Sequence, residues 1–180
     1  MAKQNIRMTG SGGQGVIMGT IILAEAAYAD GKQVVQCQAY GPEARGGASK
    51  AECIISDEKI SYTKVIAPDL LLSLTQLSLD KYVGNLAEGA IVVVDEAIEV
   101  PADIEKAHVV YKLPILKGAK EVVKNPMSAN IISVGVVNEI MKACGNENVE
   151  AAVLNHVPKG TEEKNLNALH YGMELVKDYK

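Results

Sequence analysis

A chain of 180 residues with 48% hydrophobic and 22% charged residues is long enough to bury one core and too apolar to be disordered. Its net charge is -4, and it has no run of lysine or arginine longer than a pair of neighbours, so we do not expect nucleic acid as a partner. The first residues lack the layout of a signal peptide, and no stretch is long and apolar enough to span a bilayer. We therefore expect a cytoplasmic protein with no membrane partner.

The first predicted unit is a strand, a glycine-rich loop and a helix. Ile6 to Thr9 predicts the strand, and Val16 to about Asp30 predicts the helix. That helix is apolar almost all round, which indicates packing against a sheet. Gly31 supplies the expected helix stop. The chain therefore has a Rossmann-like start.

Strands and helices alternate along the rest of the chain. Polar and apolar residues alternate over Gln33 to Tyr40 and again over Ala48 to Ser56, which predicts a second and a third strand. The later predicted strands are Leu70 to Leu74, Ala90 to Asp95 and His108 to Lys112. The later predicted helices are Gln76 to Tyr82, Leu116 to Val123, Ser128 to Cys144, Val149 to His156 and Thr161 to Tyr179, the last with Thr161 as N-cap.

This alternation predicts one domain over residues 1–180, of the α/β class, with three layers in the order αβα. Most strand pairs should be parallel. The short separation of the second and third strands also permits an antiparallel pair, which would make the sheet mixed.

The glycine-rich loop is the first candidate site. Gly10, Gly12 and Gly15 have the spacing G-x-G-x-x-G, and Gly13 and Gln14 complete the loop. After a strand and before a helix, such glycines let backbone amides and the helix N-terminus approach a phosphate or a carboxylate. The alternative is that they only permit a tight turn and close helix packing.

A dinucleotide site would also need an acidic residue at the end of the second strand. That strand ends in Gln38, Ala39 and Tyr40, and Glu43 follows only after a Gly-Pro turn. The sequence therefore disfavours a self-contained NAD-binding oxidoreductase, which a titration with NAD(H) would test.

The loop over residues 41–47 is the second candidate site, since it is larger than two adjacent strands need. Arg45, followed by Gly46 and Gly47, could present a guanidinium and two unhindered amides to a phosphate or to a partner's carboxylate. Glu43 lies in the same loop. The alternative is a solvated turn with a surface arginine.

Three other residues are weaker candidates. Asp95 ends a predicted strand, where α/β sheets place ligand-contacting side chains, but a turn-capping role is favoured. Asn130 and Gly135 interrupt an apolar helix, which indicates close packing or a buried hydrogen bond.

Metal and nucleophile patterns are missing from the sequence. The three cysteines are odd in number and form no C-x-x-C pair, which fits reduced thiols. The three histidines share no metal-ligand spacing, and no serine lies in a recognisable nucleophile motif. We expect no metal, no iron–sulfur cluster and no complete catalytic site on this chain.

Four motifs together resemble the gamma subunit of 2-oxoacid:ferredoxin oxidoreductases. They are Gly10-Ser11-Gly12-Gly13-Gln14-Gly15-Val16, Tyr40-Gly41-Pro42-Glu43-Ala44-Arg45-Gly46-Gly47, Asn130-x-x-x-x-Gly135 and Asn165-x-x-Ala168-x-x-x-Gly172. The resemblance spans nearly the whole chain and is greatest to the 2-oxoglutarate type.

The resemblance implies one subunit of an enzyme that decarboxylates a 2-oxoacid onto coenzyme A and reduces ferredoxin. Alpha and beta subunits would be its partners, with a ferredoxin-like delta subunit as a further candidate. Thiamine diphosphate, Mg2+ and an iron–sulfur cluster would reside on those partners, and the isolated chain would be inactive. The two candidate loops would lie toward the active-site subunits or the coenzyme A path. A noncatalytic adaptor module is the remaining alternative.

Overall fold

The computed structural model describes residues 3–38 and 47–179, and within these ranges one sheet of six strands is flanked by α-helices. The strands are β1 (Gln4–Ser11), β2 (Gln33–Gln38), β3 (Ala48–Ser56), β4 (Leu70–Ser73), β5 (Ile91–Asp95) and β6 (Val109–Leu113). The helices are α1 (Val16–Ala29), α2 (Gln76–Tyr82), α3 (Ala102–Ala107), α4 (Ile115–Glu121), α5 (Ala129–Met141), α6 (Asn146–His156) and α7 (Glu162–Lys177).

The sheet is mixed, with the strand order β2-β3-β1-β4-β5-β6. β1 pairs in parallel with β4, β4 with β5, and β5 with β6, whereas β3 runs antiparallel to both β1 and β2. Met8 of β1 lies opposite Ala51 on one side and Leu72 on the other. The predicted mostly parallel sheet with one antiparallel part is confirmed. β2 and β3 can be antiparallel because residues 39–47 alone separate them, too few for the crossover that a parallel pair needs.

Helices cover both faces of the sheet, so the predicted three-layer architecture is confirmed. One core includes Ile6, Met8 and Leu72 of the sheet and residues of α1, α4, α5, α6 and α7. A smaller core on the opposite face contains Leu71 of β4 and Leu79 of α2, with α3 packed against it. Adjacent residues of β4 thus enter different cores, as expected for a central strand buried on both faces.

The structure confirms one predicted helix end, corrects the capping predicted at another, and adds one helix that the sequence did not predict. α1 ends before Gly31, which has a φ of 77°, so the predicted helix stop is confirmed. Thr161 does precede α7, but its hydroxyl donates to the carbonyl oxygen of Pro158 at 2.6 Å and makes no capping bond. α3 was not predicted, because none of its residues is buried and it has no apolar stripe to detect.

Gly135 and Gly172 set the closest approach between α5 and α7. A Cβ atom on Gly135 would lie 2.2 Å from the carbonyl oxygen of Leu169, and one on Gly172 would lie 2.1 Å from the carbonyl oxygen of Ile132. Both neighbours are backbone atoms, which cannot rotate away as a side chain can. The close packing predicted at Gly135 is confirmed.

We expect Gly135→Ala to lower the free energy of unfolding by about 1 to 3 kcal/mol, because the extra methyl group overpacks the crossing of two helix backbones. Urea denaturation of the purified chain would measure the change. Gly84→Ala is the matched control, since a Cβ atom there meets nothing within 4 Å. If the two variants were equally stable, the crossing would not depend on a glycine at 135.

Candidate functional site

The glycine-rich loop follows β1. The helices that follow β1 and its neighbour β4 pack on opposite faces of the sheet. β1 leads into α1, which packs on the larger core, whereas its parallel neighbour β4 leads into α2 in the smaller core. The crevice between the carboxyl ends of these two strands is the topological switch point, where open α/β sheets bind their ligands. A Cβ atom on Gly10 would lie 3.4 Å from the Cβ of Leu74, so the two connections are close together here.

The loop is held by reciprocal bonds between Ser11 and Gln14. The backbone N–H of Gln14 donates to the carbonyl oxygen of Ser11 at 3.2 Å, and the backbone N–H of Ser11 donates to Gln14 Oε1 at 2.7 Å. Gly13 between them has a φ of 91°, which favours glycine. A Cβ atom on Gly10 would lie 2.5 Å from Gln14 Oε1. The backbone and side chain of Gln14 therefore hold the loop in its conformation.

Gly15 joins the loop to α5. It is the N-cap residue of α1 with a φ of 71°, and a Cβ atom there would lie 2.7 Å from Asn130 Nδ2. Gly15 and Asn130 were predicted as members of separate motifs, and the structure brings them into one contact. The sequence signal for this contact was weak, because neither residue type indicates a partner so far away along the chain.

A cleft of about 200 Å³ opens beside the loop. Its lining residues come from the loop, the first turn of α1 and the start of β3: Ser11, Gly13, Gly15, Val16, Ile17 and Ser49. The N-cap residue of α1 is Gly15, which has no side chain to cap the helix, and the first turn of α1 has no acidic residue. The first N–H groups of an α-helix have no partner within the helix, so this cleft offers backbone donors suited to an anion.

The second candidate loop is described only at its end. Glu43, Arg45 and Gly46 lie outside the described residues, and their proposed roles stay predictions. Gly47 directly precedes β3, whose first residue pairs with the last residue of β1. The described end of this loop therefore lies next to the glycine-rich loop.

Asp95 has the capping role that the sequence favoured. The residue is 3% exposed, and its Oδ1 accepts a bond from the backbone N–H of Ala97 at 3.2 Å. Its Oδ2 accepts a bond from the backbone N–H of Leu116 at 2.8 Å, which also caps the start of α4. Both carboxylate oxygens are thus engaged with the backbone.

The thiols are poor nucleophiles where they are buried. Burial raises the pKa of Cys53 and of Cys144 to about 12 in each case. The third thiol, Cys37 Sγ, donates to the carbonyl oxygen of Thr63 at 3.3 Å. Among residues 3–38 and 47–179, no three histidine, cysteine or acidic side chains form a group that could hold a metal.

Two histidines pair with glutamates of neighbouring helices. His156 Nε2 of α6 lies 2.6 Å from Glu25 Oε2 of α1, and His170 Nε2 of α7 lies 2.8 Å from Glu150 Oε1 of α6. A hydrogen bond from Asn155, and to a smaller extent His156, lowers the pKa of the Glu25 carboxyl against the effect of burial. These histidines thus hold α6 against its neighbours.

No helix in the described part of the chain is long and apolar enough to cross a membrane.

We expect Gly15→Ala to destabilise the chain more than Gly89→Ala, although both glycines have a φ of 71°. At Gly89 a Cβ atom meets nothing within 4 Å, so that variant reports the backbone cost alone, about 1 to 2 kcal/mol. Gly15→Ala adds the collision with Asn130, and the double variant Gly15→Ala, Asn130→Ala should recover part of the loss. Denaturant titration of the four chains measures this. Equal losses in the two single variants would rule out the contact as a constraint.

Comparisons with known proteins agree with this structure from end to end. The model of the family "Pyruvate ferredoxin/flavodoxin oxidoreductase" matches residues 5–175. The chain is 46% identical over 178 residues to 2-oxoglutarate synthase subunit KorC of Methanocaldococcus jannaschii, covering 98% of this chain and 95% of that one. The solved structure of the keto/oxoacid ferredoxin oxidoreductase gamma subunit of Geobacter sulfurreducens superposes with a TM-score of 0.90 at 38% identity, over 100% of this chain and 99% of that one.

The same fold also occurs as part of a longer chain. The match to the 2-oxoglutarate:ferredoxin oxidoreductase of Magnetococcus marinus covers 99% of the present chain and 32% of that longer chain. Its TM-score is 0.89 at 21% sequence identity. The resemblance seen in the four sequence motifs is confirmed by the family match and by the full-length relatives. The chain belongs to the pyruvate ferredoxin/flavodoxin oxidoreductase family.

Proposed function

We propose that this chain is the gamma-type subunit of a cytoplasmic 2-oxoacid:ferredoxin oxidoreductase of the 2-oxoglutarate synthase type. The enzyme decarboxylates a 2-oxoacid oxidatively, transfers the acyl group to coenzyme A and passes the electrons to ferredoxin. The observation that carries this proposal is the 46% identity to a 2-oxoglutarate synthase subunit over 98% of this chain and 95% of that one. A correspondence of this extent leaves almost no part of either chain unmatched.

The reaction centre of this enzyme resides on partner subunits. Alpha and beta subunits hold thiamine diphosphate, Mg2+ and an iron–sulfur cluster, and a ferredoxin-like delta subunit is a further candidate partner. The chain's own buried ionisable groups support this division, because they are engaged in its fold. Asp95 binds backbone N–H groups, and buried Glu52 accepts a bond from Arg7 Nε at 2.7 Å.

The role we propose for this chain is to border the coenzyme A path with its two loops. The start of α1, whose N-cap residue is a glycine, and the glycine amides beside it suit a pyrophosphate or the carboxylate of a neighbouring subunit. A chain with a net charge of -4 does not attract anions as a whole, so the attraction must be local. Residues 10–15 and residues 43–47 are the candidate contacts.

Purification of the tagged chain from its native host, gently and without oxygen, tests the proposed function. We expect thiamine-binding and cluster-binding subunits in the preparation, brown iron–sulfur absorbance, and dye reduction that requires both 2-oxoglutarate and coenzyme A. Pyruvate and branched-chain 2-oxoacids, supplied at equal concentration, measure the substrate preference. A colourless chain recovered alone, without 2-oxoacid-dependent dye reduction, would refute the proposal.

We expect Arg45→Ala to raise the KM for coenzyme A of the assembled enzyme about tenfold, since one charge-assisted hydrogen bond contributes roughly 1.5 kcal/mol. Lys59→Ala is the control: it removes the same charge from the exposed segment after β3, at the opposite end of that strand from Gly47. Steady-state kinetics and a melting curve of each variant measure the two effects. Identical kinetics for Arg45→Ala and Lys59→Ala would remove Arg45 from the site.

A further inference from the structure

The last described residue, Tyr179, lies against an outer edge of the sheet. β6 ends the strand order β2-β3-β1-β4-β5-β6, so among the described residues a strand pairs with it on one side only. Every second residue of such an edge strand directs its N–H and C=O groups away from the sheet. A row of these groups can bind a strand of another chain. Tyr179, which follows α7, reaches this row with its side chain.

The Tyr179 hydroxyl bonds to two backbone groups of β6. It accepts a bond from the N–H of Lys112 at 3.2 Å and donates to the carbonyl oxygen of Val110 at 3.3 Å. The direction of the backbone groups alternates along a strand, so Val110 and Lys112 face away from β5, whereas Tyr111 between them faces β5. Both bonds are therefore on the outer edge of the sheet.

These two bonds are the pair that one residue of an added parallel strand would make. In a parallel ladder, the N–H of a residue donates to the carbonyl one position before its neighbour, and its own carbonyl accepts from the N–H one position after. Around Tyr111 those two positions are Val110 and Lys112. A hydroxyl can make both bonds because it is a donor and an acceptor. Tyr179 thus takes the place of one residue of a seventh strand.

Two further contacts hold the Tyr179 hydroxyl in this place. The ring centroids of Tyr111 and Tyr179 are 4.9 Å apart, with an angle of 38° between the ring planes. Tyr111 itself packs against the larger core, so it gives the second ring a fixed support. The backbone N–H of Tyr179 donates to the carbonyl oxygen of Val176 at 3.3 Å, which ties the residue to the end of α7.

Without Tyr179, the edge of β6 would suit the same edge of a second copy of this chain. Three of its five residues, Val109, Val110 and Tyr111, are β-branched or aromatic, and Val109 is 57% exposed. In an antiparallel pair about a two-fold axis at Tyr111, Val110 of one chain would lie opposite Lys112 of the other. The two lysines would not face each other, and each is paired with Glu105 at 2.8 Å. Charge repulsion therefore does not protect this edge.

We propose that Tyr179 caps the edge of β6 and keeps this chain from pairing with β6 of a second copy. The cap is an autoinhibitory contact, because its bonds and those of an incoming strand use the same backbone groups, the N–H of Lys112 and the carbonyl of Val110. It controls the association of the chain with itself, so it is independent of the reaction that the assembled enzyme catalyses.

Tyr179→Phe in the full-length chain tests the capping bonds, because it removes the hydroxyl and keeps the ring. We expect the amide hydrogen exchange of Lys112, measured by NMR, to become about twofold to tenfold faster, as the loss of one hydrogen bond implies. The exchange of the Tyr111 amide, which faces β5, should stay the same. Tyr28→Phe is the matched control, since Tyr28 lies in α1 and is 73% exposed. An unchanged Lys112 exchange rate in Tyr179→Phe would refute the capping bonds.

Tyr179→Ala tests the protective role, because it removes the ring as well and opens the edge. Tyr179 is 40% exposed, so its truncation leaves the cores intact. In light scattering we expect the mass of this variant to rise with concentration from one chain toward two, while the wild-type and Tyr28→Phe masses do not change. A Tyr179→Ala mass that is as constant as the wild-type mass would overturn the proposal.

A second substitution shows whether the association uses the edge of β6. Lys112→Pro, added to Tyr179→Ala, removes the outward N–H and leaves the bonds to β5, as proline does on an edge strand. We expect the double variant to return to the wild-type mass at every concentration. A double variant that associates as strongly as Tyr179→Ala would place the contact on another surface and refute the cap.

Discussion

The close packing of α5 against its neighbours is the constraint on which the candidate site depends. At its start, Asn130 packs against Gly15, and one turn or more further along Gly135 meets the backbone of α7. α5 is therefore held on two sides by contacts that leave no space for a β-carbon. Because α1 begins at the loop and its first turn lies against α5, the same contacts fix the direction in which the loop amides point. Packing of the start of α1 against α5 therefore helps to position the loop that leads into α1.

The antiparallel pairing of β2 and β3 explains where the described chain ends before the second loop and resumes after it. Ala48 pairs with Ser11, and Gln38 pairs with Ala51, so β2 ends and β3 begins beside the carboxyl end of β1. A parallel crossover would have carried the chain to the other end of the sheet before the next strand could begin. The mixed topology therefore brings the ends of two separate loops to one edge, next to the switch point. The departure from a fully parallel sheet is thus what brings these strand ends together beside the glycine-rich loop.

The face of the sheet opposite α1 has a polar component that holds the connecting segment after β3. Arg7 is 3% exposed, and its Nε donates to Glu52 at 2.7 Å, its Nη1 to Asn85 at 2.9 Å and its Nη2 to the carbonyl oxygen of Val65 at 3.2 Å. A buried guanidinium is tolerated only when it is paired and its donors are satisfied. This cluster ties three separate parts of the chain to β1, yet its sequence signal is only an arginine among apolar residues in a strand.

Local sequence predicted most of the fold but not the long-range contacts around the candidate site. Strands, helices and the glycine-rich loop follow from periodicity and from glycine placement, which act over a few residues. The contact of Gly15 with Asn130 depends on where two distant helices meet, and the Thr161 hydroxyl bonds to Pro158 because the preceding turn places a carbonyl within its reach.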